Sequence, residues 1–172
     1  MKLEKNILYE IIMPDCDNDS FDVGMFLAED GENIIFQNVN VNGFDNGLLL
    51  LKKENILNLE FSTKYCESMN KLMQYHKTSF KPIKFKGNNL LIEFLNCAKN
   101  NGAIVGLEFK NSDRINLLGF IETISDDYVT TSEINSEGFS TGKGLGKISD
   151  ITKMTSDAYC HQKYKILFNM NK

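Results

Sequence analysis

Several side chains in this sequence stand at spacings that could do chemistry. Asp15-x-Asp17-x-Asp19 begins like a calcium loop, in which alternate carboxylates converge on one cation. Such a loop requires a glycine at its sixth place and a glutamate at its twelfth. Ser20 and Phe26 stand there instead, so a solvated hairpin loop is expected. Cys160-His161 and Cys66 are candidates for metal ligation or a Cys/His nucleophile pair. Adjacent helical residues point in different directions, the chain has only His76 and His161, and no carboxylate motif stands ready to orient them. The recurrence of Tyr-Cys at 65–66 and 159–160 suits a packed helix face, since a free cysteine behaves as a small hydrophobe. The GKGLG run at 142–146 lacks phosphate-loop spacing and is expected to be a loop entering a strand.

Two further groups are candidate binding residues. Lys81, Lys84 and Lys86, interleaved with Phe80 and Phe85, have the composition that neutralises and stacks on single-stranded RNA. The same alternation describes a strand with one solvated face, where lysine guards an exposed edge, and this is the favoured expectation. Phe44 and Phe139 sit between glycines in similar loops, Gly43/Gly47 and Gly138/Gly142. An aromatic residue at such a tip either anchors a partner or folds back to plug the end of a small sheet, and the sequence leaves both open.

The elements that must position these residues come in two sets. Shifting the chain by 95 positions places Gly24 on Gly119, Asn40 on Asn135, and Gly43-Phe44 on Gly138-Phe139. Gly47 then meets Gly142, Leu50 meets Leu145, Lys52 meets Lys147 and Ile56 meets Ile151. A one-residue deletion carries Tyr65-Cys66 onto Tyr159-Cys160. An internal duplication is the expectation. Each copy has short runs rich in β-branched and aromatic residues, bounded by Gly, Asn, Asp and Ser, which is a hairpin pattern. In the second copy these are 103–109, 115–123 and 128–134, then the NSEGFSTGKG loop, then a fourth run at 147–154. A helix closes each copy, capped by Ser62 or Thr63 in the first and Asp157 in the second, and another spans 89–100.

The fold class expected is therefore mostly β with short helices, a tandem duplication of a small barrel. Its parts are residues 1–75, a basic linker at 76–88, and residues 89–172. Gly24 and Gly119 are expected at equivalent places on bent strands.

The segment NLLIEFLNCAKNNGAIVGLEFKNSDRINLLGFIETISDDYVTTSEI resembles the first motif of the Sm/Lsm family: a short helix, a strand, a turn, a strand with a central glycine (Gly119), and an acidic turn (Asp126-Asp127). The resemblance implies a five-stranded, strongly bent barrel of SH3-like shape. The family's RNA-site residues are not matched. Thr130-Thr131 stand where its asparagine follows the acidic turn, and its Arg-Gly step has no counterpart, Gly144-Leu145-Gly146-Lys147 being the nearest segment. The pattern NGFDNG…ENI…STKY is similar to one in uncharacterised bacterial proteins.

Charge narrows the partner. The net −4 is uneven: residues 1–75 carry 6 Lys/Arg against 13 Asp/Glu, whereas residues 76–102 carry 5 against 1. A dedicated nucleic-acid binder presents a broadly basic surface, and only the linker is basic here. No membrane-length apolar run, signal-peptide pattern or CxxC pair occurs, so a reducing cytoplasm is expected. No cofactor or metal motif is found. The expectation is a non-enzymatic binding or adaptor protein that recognises another protein, with Sm-like RNA binding as the alternative.

Overall fold

The computed structural model describes residues 3–14, 21–110 and 116–172, so the aspartate run at 15–19 and the turn at 111–113 lie outside the described residues. Among those described, the chain is mostly β, with antiparallel strands and three α-helices. It divides into two compact units, Met1–Leu90 and Leu91–Lys172.

The first unit holds β1 (Leu8–Ile12), β2 (Asp22–Glu29), β3 (Asn33–Val39) and β4 (Asp45–Lys52). A 3-10 turn, Lys53–Asn55, leads to β5 (Asn58–Phe61) and then α1 (Lys64–His76). Its strand order is β5-β1-β2-β3-β4. Side chains alternate across a pleated strand, so each strand feeds two faces. Tyr9, Ile11, Phe26, Ile34, Phe36, Leu49 and Leu51 form one cluster. Leu8, Val23 and Val39 join Cys66 and Met69 of α1 in another. Each fully buried residue of this kind contributes about 1.5–3 kcal/mol, and the apolar runs of β3 and β4 supply a large share of the buried residues in this unit.

Thr63 caps α1, its hydroxyl accepting from Cys66 N at 3.0 Å. The same hydroxyl donates to the carboxylate of Glu10, which is only 7 % exposed. Asp30 makes the β2–β3 turn: its Oδ1 accepts from Asn33 N at 2.7 Å and Glu32 N at 2.9 Å, and its Oδ2 from Leu90 N at 2.8 Å.

The second unit holds β6 (Ile104–Phe109), β7 (Leu117–Ile124), β8 (Tyr128–Ile134) and β9 (Ser140–Lys147). A 3-10 turn, Ile148–Asp150, precedes β10 (Ile151–Ser156) and α3 (Tyr159–Met170). Its order is β10-β6-β7-β8-β9. Helix α2 (Leu90–Asn100) precedes β6 and ends in a Schellman turn, with Ala103 N donating to Ala98 O and Gly102 in the left-handed region.

Gly24 pairs with Tyr9 and Asn38, and Gly119 with Val105 and Glu133, so both glycines lie on their unit's second strand. A Cβ on Gly24 would lie 2.8 Å from Phe36 Cβ, and one on Gly119 would meet Ser132 O, so close strand approach requires glycine at both. Two residues beyond each glycine the ladder shifts register, between Phe26 and Ala28 and between Ile121 and Thr123. Such bulges sharpen the local twist.

Three expectations are corrected. Residues 142–146 are not a loop: they are the body of β9, paired with β8. Glycine is a poor strand former, but here its missing side chain makes room, since a Cβ on Gly144 would meet Leu117 and one on Gly146 would meet Phe109. The N-cap of α3 is Ala158, not Asp157, which turns the chain with a left-handed φ of 52°. The third concerns helix register. The terminal helices keep the spacing of 95, so Thr63 corresponds to Ala158 and Cys66 to His161, with no deletion.

Candidate functional site

The β3–β4 and β8–β9 loops are built by one hydrogen-bond pattern. In the first, Asn40 Oδ1 accepts from Asn42 N at 3.0 Å and Phe44 N at 3.1 Å. Asn40 N donates to Phe44 O at 3.0 Å and Gly43 N to Asn40 O at 2.9 Å. In the second, Asn135 Oδ1 accepts from Glu137 N at 3.1 Å and Phe139 N at 2.9 Å. Asn135 N donates to Phe139 O and Gly138 N to Asn135 O, each at 3.0 Å. Asparagine suits this place because its short amide can cap its own turn.

Glycine precedes each phenylalanine for two reasons. Its φ is 80° at Gly43 and 78° at Gly138, a region that favours glycine. It also lies flat on the terminal helix: a Cβ on Gly43 would be 2.7 Å from Leu72 Cβ, and one on Gly138 would be 2.6 Å from Leu167 Cβ. The loops are thus seated on α1 and α3, and each holds its aromatic ring outward.

Neither ring is buried. Phe44 is 36 % exposed and stacks on the His76 imidazole, with ring centroids 4.2 Å apart; Phe139 is 56 % exposed. An exposed large side chain also stands on the last turn of each seating helix, Tyr75 (81 %) in the first unit and Met170 (76 %) in the second. Both stand 31 positions after the phenylalanine. Sequence patterns miss Tyr75 and Met170 because they fall off the buried helical stripe. Tyr159, expected on a packed helix face, is exposed instead, because the true register turns it outward.

Lys81, Lys84 and Lys86 are exposed on a segment without regular secondary structure, rather than on a strand. Phe80, Ile83 and Phe85 alternate with them and are half-buried, and Phe80 packs against the cluster beneath α1. The alternation therefore reflects a chain laid on a surface, not a ladder. The rings that would stack on bases are partly covered.

Among the described residues, the cysteines and histidines do not form a reactive pair. Cys66 is buried, its thiol donating towards Leu8 O at 3.5 Å, and burial pushes its pKa up. A reactive thiol needs the opposite shift. Cys160 is exposed, whereas His161 beside it is buried with Nδ1 3.1 Å from Ile104 O. Burial lowers the basicity of that ring. Among the described residues, no three His, Cys, Asp or Glu side chains are placed to hold a metal, and no helix is long and apolar enough to cross a membrane.

No family model, curated protein or solved structure matches this chain.

Proposed function

We propose that the chain is a non-enzymatic, cytoplasmic binding or adaptor protein, built from two copies of a small SH3-like or Sm-like unit, that recognises a protein partner through its matched loops. Common descent of the units is supported by the same strand order, the same 3-10 turn before the last strand and the same closing helix. Left-handed residues recur at a spacing of 95: Gly43 with Gly138, Gly47 with Gly142, and Ser62 with Asp157. A non-glycine residue at positive φ is uncommon, so the recurrence at Ser62 and Asp157 carries particular weight.

One observation carries the functional reading: the same hydrogen-bonded loop, seated by glycine on a helix, holds an exposed phenylalanine in both units. Solvent exposure of an aromatic ring does nothing for folding, whereas aromatic anchors dominate the energetics of protein interfaces. Rigid seating reduces the ordering cost on binding. RNA binding through Lys81, Lys84 and Lys86 is the second reading, less favoured because Phe80 and Phe85 are half-buried.

Site-specific photocrosslinking tests this. A photoreactive phenylalanine analogue at position 44 or 139 should capture the same protein, and one at the exposed Lys163 should not. Capture from neither loop, or equal capture from Lys163, refutes the assignment.

A further inference from the structure

We propose that His161 is an acid-sensitive latch: protonation of its ring loosens α3 from β6 and frees the Phe139 loop seated on that helix, while the corresponding loop of the first unit stays in place. His161 is 2 % exposed. Its Nδ1 lies 3.1 Å from Ile104 O, an oxygen that also accepts from Asp157 N at 3.0 Å. A carbonyl only accepts, so Nδ1 carries the hydrogen and the lone pair of the neutral ring sits on Nε2. Acid therefore adds its proton at Nε2 and creates a charge inside the unit.

Among the described residues, few groups answer that charge. Asp157, in the turn before α3, favours it, and Tyr164 of α3 presents its ring 6.2 Å away. From β6 comes the main-chain carbonyl of Ile104. On α2, Cys97 lies close enough to Asp157 to feel its charge, and its burial keeps the thiol protonated. Burial outweighs the carbonyl and Asp157, so the ring holds a proton less readily than a free histidine. Below about pH 6.5 any state that lets the ring reach water takes the proton first, and falling pH favours opening.

Opening releases the loop because α3 is its floor. Gly138 rests on Leu167 and Phe168, and Asn171 Nδ2 donates to Glu137 O at 3.0 Å. In the first unit Cys66 holds the place of His161, and a thiol stays neutral throughout the acid range. His76 faces that loop too, but it stacks on Phe44 at the partly exposed end of α1 and is not enclosed between helix and strand as His161 is. Acid thus acts on one loop and spares the other. Control of partner binding by this latch rests on the function proposed above; the latch itself does not.

Amide exchange of the full chain, expressed as protection factors at about pH 7.5 and about pH 5.5, either side of the value of free histidine, reads the latch. The expected result is loss of protection across α3 and residues 135–139 at the lower pH, with α1 and residues 40–44 unchanged. His161→Gln can donate to Ile104 O but does not titrate, and should abolish the difference. If that variant does not fold, wild-type resonances decide: the His161 ring and the amides of 135–139 should titrate with one midpoint. An α3 that stays protected, equal loss in both units, a loss that survives in His161→Gln, or two midpoints overturns the latch. Phe139→Ala should keep the pH response while losing the partner, which separates failure of the latch from failure of the binding role.

Discussion

Cys66 and His161 hold the same place in their units: each reaches from the closing helix to a carbonyl on the first strand, Cys66 Sγ to Leu8 O at 3.5 Å and His161 Nδ1 to Ile104 O at 3.1 Å. Leu8 pairs with Met25 and Ile104 with Phe120, so the two carbonyls correspond across the ladders as well. A thiol and an imidazole thus solve one packing problem, and only the imidazole makes its helix sensitive to mild acid.

Thr63 should matter more than a surface threonine. Its hydroxyl caps α1 and supplies a donor to the buried Glu10 carboxylate. Thr63→Ala is expected to cost about 1–3 kcal/mol in urea unfolding, combining a lost cap with a less satisfied buried charge. A change within experimental error would mean that water replaces the hydroxyl.

The seating glycines should not tolerate a side chain. Gly43→Ala and Gly138→Ala each combine a left-handed backbone with a close helix contact, for an expected cost of about 1–3 kcal/mol. Gly31 is the control: a Cβ there meets nothing within 4 Å, and Gly31→Ala should stay within about 0.5 kcal/mol. Equal tolerance at all three positions would contradict the seated-loop geometry.

Much of this was legible in the sequence, and the failures have physical causes. Gly24, Gly43, Gly119 and Gly138 were visible as a repeat because each serves a backbone need that no other residue meets. The strand at 142–146 was hidden because glycine normally disfavours strands, and only Leu117 and Phe109 lying over it explain the choice. The helix register slipped because the shared Tyr-Cys pair suggested a deletion, whereas the buried face places Cys66 against His161. Tyr75 and Met170 share a position but not a chemistry, so no residue match could reveal them.

Asp30 should govern part of the acid stability. Burial raises its pKa, but the N–H groups of Leu90, Asn33 and Glu32 outweigh burial and hold it below the ordinary carboxylate value. A lowered folded-state value means that its contribution is complete above about pH 4 and is lost as pH falls through the folded value. Acid unfolding of Asp30→Ala should therefore differ most from wild type near neutrality and converge with it in strong acid. A constant gap across the whole range would assign the effect to packing instead.

The loop phenylalanines should be nearly dispensable for folding. Phe44→Ala and Phe139→Ala are expected to cost no more than about 1 kcal/mol, whereas Phe36→Ala, in the buried cluster, should cost about 3–5 kcal/mol. A loss at Phe44 or Phe139 comparable to that at Phe36 would make them structural and remove them from the binding surface.

The central claim is tested most directly by affinity capture from native cells, with and without nuclease, comparing wild type with the double variant Phe44→Ala/Phe139→Ala. The prediction is a defined protein partner that wild type retains after nuclease treatment and that the folded double variant loses. Full retention by the double variant, or a partner that disappears with nuclease and with Lys81→Ala/Lys84→Ala/Lys86→Ala, would contradict it and favour RNA recognition through the linker.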